Sequence, residues 1–159
     1  MLLRLLRDTD YHVAKDVMRE RFDESELPCF AKVWKVRNRE ASLCIEHLTC
    51  LLGLIVVVQN KIEYVVVHQR FAKTGLGGLL VCAVLDVLHD DFKIAHLVTA
   101  DDPLLRQWYM KFGFECVSAI ENRNDAAGWD TMIYRFRTKR KRATRVQTHG
   151  PATLVSAPP

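Results

Sequence analysis

The sequence predicts one folded unit of the α/β or α+β class, a mixed sheet flanked by helices, and three observations carry that reading. Apolar, β-branched runs recur at Leu51–Val58 and Ile62–His68, as strands require. A helical pattern follows the second run directly, from Gly75 to Leu88, and another follows a shorter apolar stretch at Ala95–Thr99. A helix that returns the chain between strands implies that parallel and antiparallel neighbours share one sheet. With 159 residues, 49% of them hydrophobic, the chain can bury one core and is too short for two ordinary domains.

The elements follow in order. Leu2 to Leu6 reads as a strand, and Tyr11 to Phe22 as a helix because Val13, Val17 and Phe22 recur near helical spacing among charged residues. A weaker helix is expected from Phe30 to Val36. Ser42 to Thr49 and Leu51 to Val58 read as strands, and Gln59-Asn60-Lys61 as a turn into Ile62 to His68, so these three strands form an antiparallel meander. Gly75 to Leu88 is a buried helix and Ala95 to Thr99 a strand. Pro103 to Phe112 is a helix with Asp102 as its N-cap, Pro103 in its first turn and Gly113 as its stop. Phe114 to Ile120 and Thr131 to Arg137 close the sheet as a hairpin around Asn122 to Trp129.

The stretch Ile62 to Leu80, IEYVVVHQRFAKTGLGGLL, carries the first chemical signal. Val65, Val66 and Val67 favour a strand, and the loop Lys73-Thr74-Gly75-Leu76-Gly77-Gly78 lets backbone N–H groups converge. The helix start that follows adds the positive end of its dipole. An anionic, phosphate-bearing ligand is the reading, with glycines placed for packing as the plain alternative. A second segment, Asp101 to Phe114, reads DDPLLRQWYMKFGF.

Together these segments make the chain resemble the GNAT superfamily of N-acetyltransferases over residues 1 to 137. Val67-His68-Gln69-Arg70-Phe71-Ala72-Lys73-Thr74-Gly75-Leu76-Gly77 lies in register with the family's V-H-P-x-[YF]-R-G-x-G-[IL]-G, and Trp108-Tyr109-Met110-Lys111-Phe112-Gly113-Phe114 resembles its F-Y-x-K-x-G-F segment. Two positions depart from the pattern: Ala72 stands where the family usually has Arg or Gln, and Asp102 where it often has Asn. Losing a side chain at Ala72 removes one contact to a pyrophosphate, whereas the loop's backbone donors remain.

The resemblance implies a GNAT-like central sheet, mixed but mostly antiparallel, with acetyl-CoA as co-substrate and no metal. It implies cofactor contacts from Val65, Val66, Val67, Ala72, Lys73, Thr74, Gly75, Leu76, Gly77, Gly78, Asp102 and Tyr109. Val65 and Val67 act there through backbone, pairing with the pantetheine amides and meeting the carbonyl oxygen on which negative charge develops.

Acetyl transfer to a primary amine needs a base, because an amine of pKa near ~10 is protonated at neutral pH. Glu63 is the candidate, on the face of Val65 and Val67 unless a bulge intervenes; a solvent-side strand glutamate is the plain reading. His68 is the rival, with a loop or packing role as the alternative. Tyr109 is the expected acid that protonates the departing thiolate, against a core aromatic packed beside Trp108 and Phe112. His47 and His96 carry no distinguishing signal, and no histidine–cysteine spacing suggests zinc.

The expected activity is therefore direct transfer from acetyl-CoA to a primary amine, on a protein lysine or histone-like substrate. Glu46, Glu63 and Asp102 suit a cationic acceptor. A small-molecule amine or polyamine acetyltransferase, and a non-catalytic GNAT-fold module that binds CoA or a partner, are the alternatives.

Composition adds limits. The five cysteines, an odd number without C-x-x-C spacing, lie in apolar runs, which favours reduced, buried thiols and an intracellular, cytoplasmic setting, with no covalent route through Cys82 or Cys116. The arginine-interrupted N-terminus is no signal peptide, and the eight residues Leu51–Val58 fall short of the ~20 that span a bilayer, so no membrane partner is expected. From Arg135 onward seven basic residues meet no acid, more than the whole formal net charge of +4, so the preceding body is mildly acidic. Residues 138–159 read as a flexible tail whose run Thr138-Lys139-Arg140-Lys141-Arg142 suits nucleic acid, an import receptor and the nucleus, or simply solubility.

Overall fold

The computed structural model describes residues 1–100, 102–117 and 129–137. Its sheet has seven strands in the order β1-β2-β3-β4-β5-β7-β6. They are β1 (Leu2–Leu5), β2 (Leu43–His47), β3 (Cys50–Val58), β4 (Lys61–Val67), β5 (Ile94–Ala100), β6 (Glu115–Cys116) and β7 (Trp129–Arg135). The described helices are α1 (Tyr11–Arg19), α2 (Leu27–Val36), α3 (Leu76–Leu88) and α4 (Pro103–Met110). All neighbouring strands run antiparallel except β4 and β5, the mixed sheet that the strand-to-helix order predicts.

Each face of the sheet has its own core. Leu76, Leu80, Val84 and Leu88 of α3 recur at helical spacing and pack with Ile55, Val57 and Leu97. On the other face Val17, Met18, Phe30 and Trp34 of α1 and α2 cover Leu54, Val56 and Val66. Strand β3 is buried from both sides, which accounts for its unbroken apolar run. Each fully buried side chain of this size contributes about 1.5–3 kcal/mol, so apolar burial holds α3 in place far more than helix propensity does.

Several expectations shift in detail. α1 stops at Arg19, and Val13, expected on its buried side, is 45% exposed; Ala14, Val17 and Met18 fill the core instead. α2 starts three residues before the expected Phe30, because Pro28 fits a first turn whose amides have no helical acceptor. Asp102 caps α4 as expected, accepting from Leu104 N at 2.9 Å. Trp129, read as loop, begins β7. The remainder of the hairpin loop, the end of the strand expected to reach Ile120, Asp101 and the basic segment 138–159 lie outside the described residues.

The expectation of buried thiols fails for most of the cysteines. Cys44 alone is buried, Cys116 is half-buried, and Cys29, Cys50 and Cys82 are exposed, all as free thiols. Cys82 lies on the outer side of α3, a helix so apolar in composition that its outward residues Leu79 and Val87 are exposed as well. Among the described residues no helix is long and apolar enough to cross a membrane.

The β2–β3 hairpin closes through Leu48 and Thr49, both left-handed at φ 47° and 68°, the signature of a type I′ turn. Neither residue suits that conformation, which costs about 1–2 kcal/mol per residue outside glycine and asparagine. Leu48→Asn combined with Thr49→Gly should therefore stabilise the protein by roughly 1–2 kcal/mol, raising Tm by about 2–4 °C per kcal/mol in thermal unfolding.

Candidate functional site

The site begins where the sheet parts. β4 pairs with β5 only at Lys61 and Ile62, and beyond them the two parallel strands have no paired residues. Toward β3 the ladder continues through Val67, and His68 N donates to Leu52 O at 2.8 Å. Backbone groups alternate along a strand, so Val65 and Val67 direct theirs away from β3 and into the gap. There the described residues contain a cleft of about 500 Å³.

Val65, Val66 and Val67 line one wall of this cleft, Ala72, Lys73, Gly75, Leu76, Gly77 and Gly78 a second, and Leu105, Trp108 and Tyr109 of α4 a third. Most of the residues expected to bind cofactor are thus brought together. Thr74 and Asp102 are not on the lining: Thr74 Oγ1 donates to Phe71 O at 2.6 Å inside the loop, and Asp102 caps α4. Arg21, Phe22, Phe71, Leu105 and Trp108 also line the cleft and were not singled out as binding residues from sequence. Trp108 stood inside the quoted motif, whereas Arg21 and Phe22 arrive from a distant helix end and had no local signal.

The loop is shaped to offer donors. Lys73 (φ 63°) and Gly75 (φ 89°) are left-handed, and a Cβ on Gly75 would meet nothing within 4 Å, so it is backbone conformation rather than space that suits this position to glycine. α3 carries no side-chain cap, and its first intrahelical bond runs from Leu79 N to Gly75 O at 3.0 Å. The amides of Leu76, Gly77 and Gly78 therefore have no helical acceptor and form an anion-binding nest at the positive end of the helix. Gly78 serves packing: a Cβ there would stand 3.0 Å from the Phe112 ring. The free strand edge at Val65 and Val67 offers partners to ligand amides, and the uncapped helix start offers donors to an anion.

Tyr109 is buried and meets Trp108 and Phe114 edge-on, with ring centroids 4.7 and 5.7 Å apart. Burial pushes its phenol up to about 12, so the hydroxyl is a neutral proton donor throughout the physiological range.

Glu63 is placed differently from the simple alternation. The β3–β4 register slips between Val56 and Val57, leaving Glu63 as the extra residue of a bulge: Ile62 packs with the α3 core, yet Tyr64 packs with the α1–α2 core. The Glu63 carboxylate pairs with Lys61 Nζ at 2.8 Å, and the residue is not on the cleft lining. Next to this pair, burial first and then the Lys61 ammonium hold the His96 imidazole below its ordinary range, with Glu63 opposing. His68 has a loop role: Nδ1 accepts from Arg70 N at 3.3 Å and Nε2 faces Glu20 at 3.2 Å. Glu46, expected to suit a cationic acceptor, is instead ion-paired with Arg4 across β1 and β2 and is absent from the cleft walls.

A larger hollow of about 600 Å³ lies between the end of α3 and β7, lined by His89, Glu115 and Arg135. It has neither an uncapped helix start nor a parted strand pair, so it lacks the donors that define the first cleft.

Comparison with known proteins identifies the family and the fold. A family model described as acetyltransferase (GNAT) domain matches residues 10–132. No curated protein sequence matches the chain. Among solved structures, PH1933 from Pyrococcus horikoshii OT3 is similar at a TM-score of 0.71 and 20% identity, over 86% of this chain and 98% of that one. The ribosomal-protein-S18-alanine N-acetyltransferase from Escherichia coli is similar at 0.69 and 16%, over 89% and 97%. Arabidopsis thaliana Naa50, in complex with the bisubstrate analogue CoA-Ac-MVNAL, is similar at 0.63 and 16%, over 85% and 98%. At these identities the structures share the fold with this chain.

Proposed function

The chain belongs to the GNAT acetyltransferase family, and we propose that its cleft binds acetyl-CoA and passes the acetyl group directly to a primary amine carried by a peptide or protein. One observation carries this reading: the free edge of β4, the uncapped start of α3 and the Tyr109 phenol all converge on the same cleft. Free backbone groups at Val65 and Val67 hold the amides of the donor, and the amides of Leu76, Gly77 and Gly78 hold its phosphates. The bound donor supplies the activated acetyl thioester; the protein supplies position and proton transfer.

A backbone N–H in the Val65–Val67 segment meets the negative charge that develops on the carbonyl oxygen, a contribution commonly worth about 3 kcal/mol. Tyr109 gives its proton to the departing sulfur. The amine approaches from the side of the bulge, where Glu63 receives its proton through water. A peptide acceptor is favoured by the Naa50 structure, whose bisubstrate analogue joins CoA to a peptide in the same fold. The basic tail, by its charge, adds a contact to a polyanion or to an import receptor.

Glu63→Gln should lower kcat/KM by roughly tenfold or more, with the largest loss at low pH, where the amine most needs a base. A pH profile that matches the parent protein would remove Glu63 from the reaction. The function itself is tested by CoA release from acetyl-CoA against peptide N-termini, lysine peptides, polyamines and amino sugars. A preferred peptide acceptor supports the reading, and a preferred small amine replaces its acceptor. Acetyl-CoA binding with no turnover on any amine would favour a binding module instead, a reading that Ala72 and the Lys61-paired Glu63 support.

A further inference from the structure

The loop that forms the phosphate nest is tied from outside by a side chain at the end of α1. Glu20, the residue that ends α1, sends one carboxylate oxygen to Gln69 N at 2.9 Å and the other to His68 Nε2 at 3.2 Å. These two partners open the loop: His68 N closes the last bond of the β4 edge to Leu52 O, and the 3-10 turn Gln69–Phe71 begins on its carbonyl, which accepts from Phe71 N at 2.8 Å. The His68 ring also meets Phe71 edge-on at 5.9 Å, and Phe71 lines the cleft.

The segment that follows Glu20 lines the cleft as well. Arg21 and Phe22 form part of its wall, and Phe22 meets Tyr64 edge-on at 5.8 Å. The residues that lead into the nest are thus joined to the end of α1 through Glu20. A carboxylate or an amide oxygen of this reach accepts from Gln69 N, and the carboxylate also offers a charge to the imidazole. The Glu20 and His68 side chains keep 32% and 28% relative exposure, so this pair lies at the surface and is partly withdrawn from solvent.

We propose that Glu20 is a positioning residue for the acyl donor: by bridging His68 and Gln69 it fixes the distance between the α1 wall and the phosphate loop, and so sets the affinity for CoA. The inference rests on the proposed acetyl-CoA site and deepens it.

The test is CoA titrated calorimetrically into the full chain and its variants, with thermal unfolding of each ligand-free protein. Glu20→Ala should weaken CoA binding by roughly tenfold, the loss of one hydrogen bond and one charge-assisted contact. Glu20→Gln, whose amide oxygen still accepts from Gln69 N, should recover part of that loss. His68→Gln should cost less in the Glu20→Ala background than alone, because both act through one bridge. In turnover, KM for acetyl-CoA should rise while kcat at saturation stays within about twofold. A cooperatively folded Glu20→Ala protein that binds CoA like its parent would overturn the proposal, as would full additivity of the two substitutions. Failure of the parent protein to bind CoA would overturn the donor site as well.

Discussion

Tyr109→Phe should lower kcat by roughly 10²-fold or more while changing acetyl-CoA affinity by no more than about twofold. The substitution keeps the ring that packs edge-on against Trp108 and Phe114, so the wall of the cleft and the seating of α4 are retained. It removes only the hydroxyl, whose proposed role is to protonate a sulfur that leaves poorly as a bare thiolate. Because burial pushes the phenol up to about 12, Tyr109 stays protonated well above neutrality. The parent enzyme should then show no alkaline loss of kcat from this group until the pH approaches that value. Equal kcat in the two proteins would leave Tyr109 as a packing residue.

Gly77→Leu should abolish measurable donor binding, weakening CoA by roughly 10²-fold or more, with little change in thermal stability. A Cβ at this position would stand 3.4 Å from Trp108 Cζ2 and 3.7 Å from Val67 Cγ2, ordinary contact distances that the fold accepts. The rest of the leucine would enter the space between β4 and α4 that the donor is proposed to occupy. Gly78 is the contrasting control. Its Cβ would press on Phe112 at 3.0 Å, so substitution there should act on stability first. Calorimetric CoA binding, read beside unfolding temperature, separates the two effects; a Gly77→Leu protein that binds CoA normally would place the donor elsewhere.

How far the sequence carried the site depends on how local each signal was. The strand, loop and helix from Lys61 to Leu88 could be read because their signals are consecutive: β-branched residues, then glycine, then apolar residues at helical spacing. The motif around Tyr109 was equally local. Glu63 shows the opposite case. Its direction is set by a one-residue slip against β3, which depends on pairing across the hairpin and leaves no mark in the alternation of β4 itself. The parting of β4 from β5, which frees Val65 and Val67, depends on strands separated by all of α3, so the residues alone did not show it and the resemblance supplied it.

Arg21, Phe22 and Glu20 were missed for a related reason. They close off α1 in sequence but face the phosphate loop in space, 49 residues away at the Glu20–Gln69 contact. The cysteines illustrate a failure of composition: apolar surroundings in sequence suggested burial, yet α3 is apolar on its outer side too, and Cys82 lies there. Glu46 and Asp102 were counted as acids available to an amine, whereas their carboxylates already hold Arg4 and the Leu104 amide.

The central claim, that acetyl-CoA is held by the free edge of β4 and the uncapped start of α3, is tested most directly by backbone hydrogen exchange with and without acetyl-CoA. The account predicts slowed exchange at Val65 and Val67 and at Leu76, Gly77 and Gly78, whose amides have no strand or helix acceptor without the donor. Binding that leaves these amides unprotected, or that protects the hollow around His89 and Arg135 instead, would contradict it.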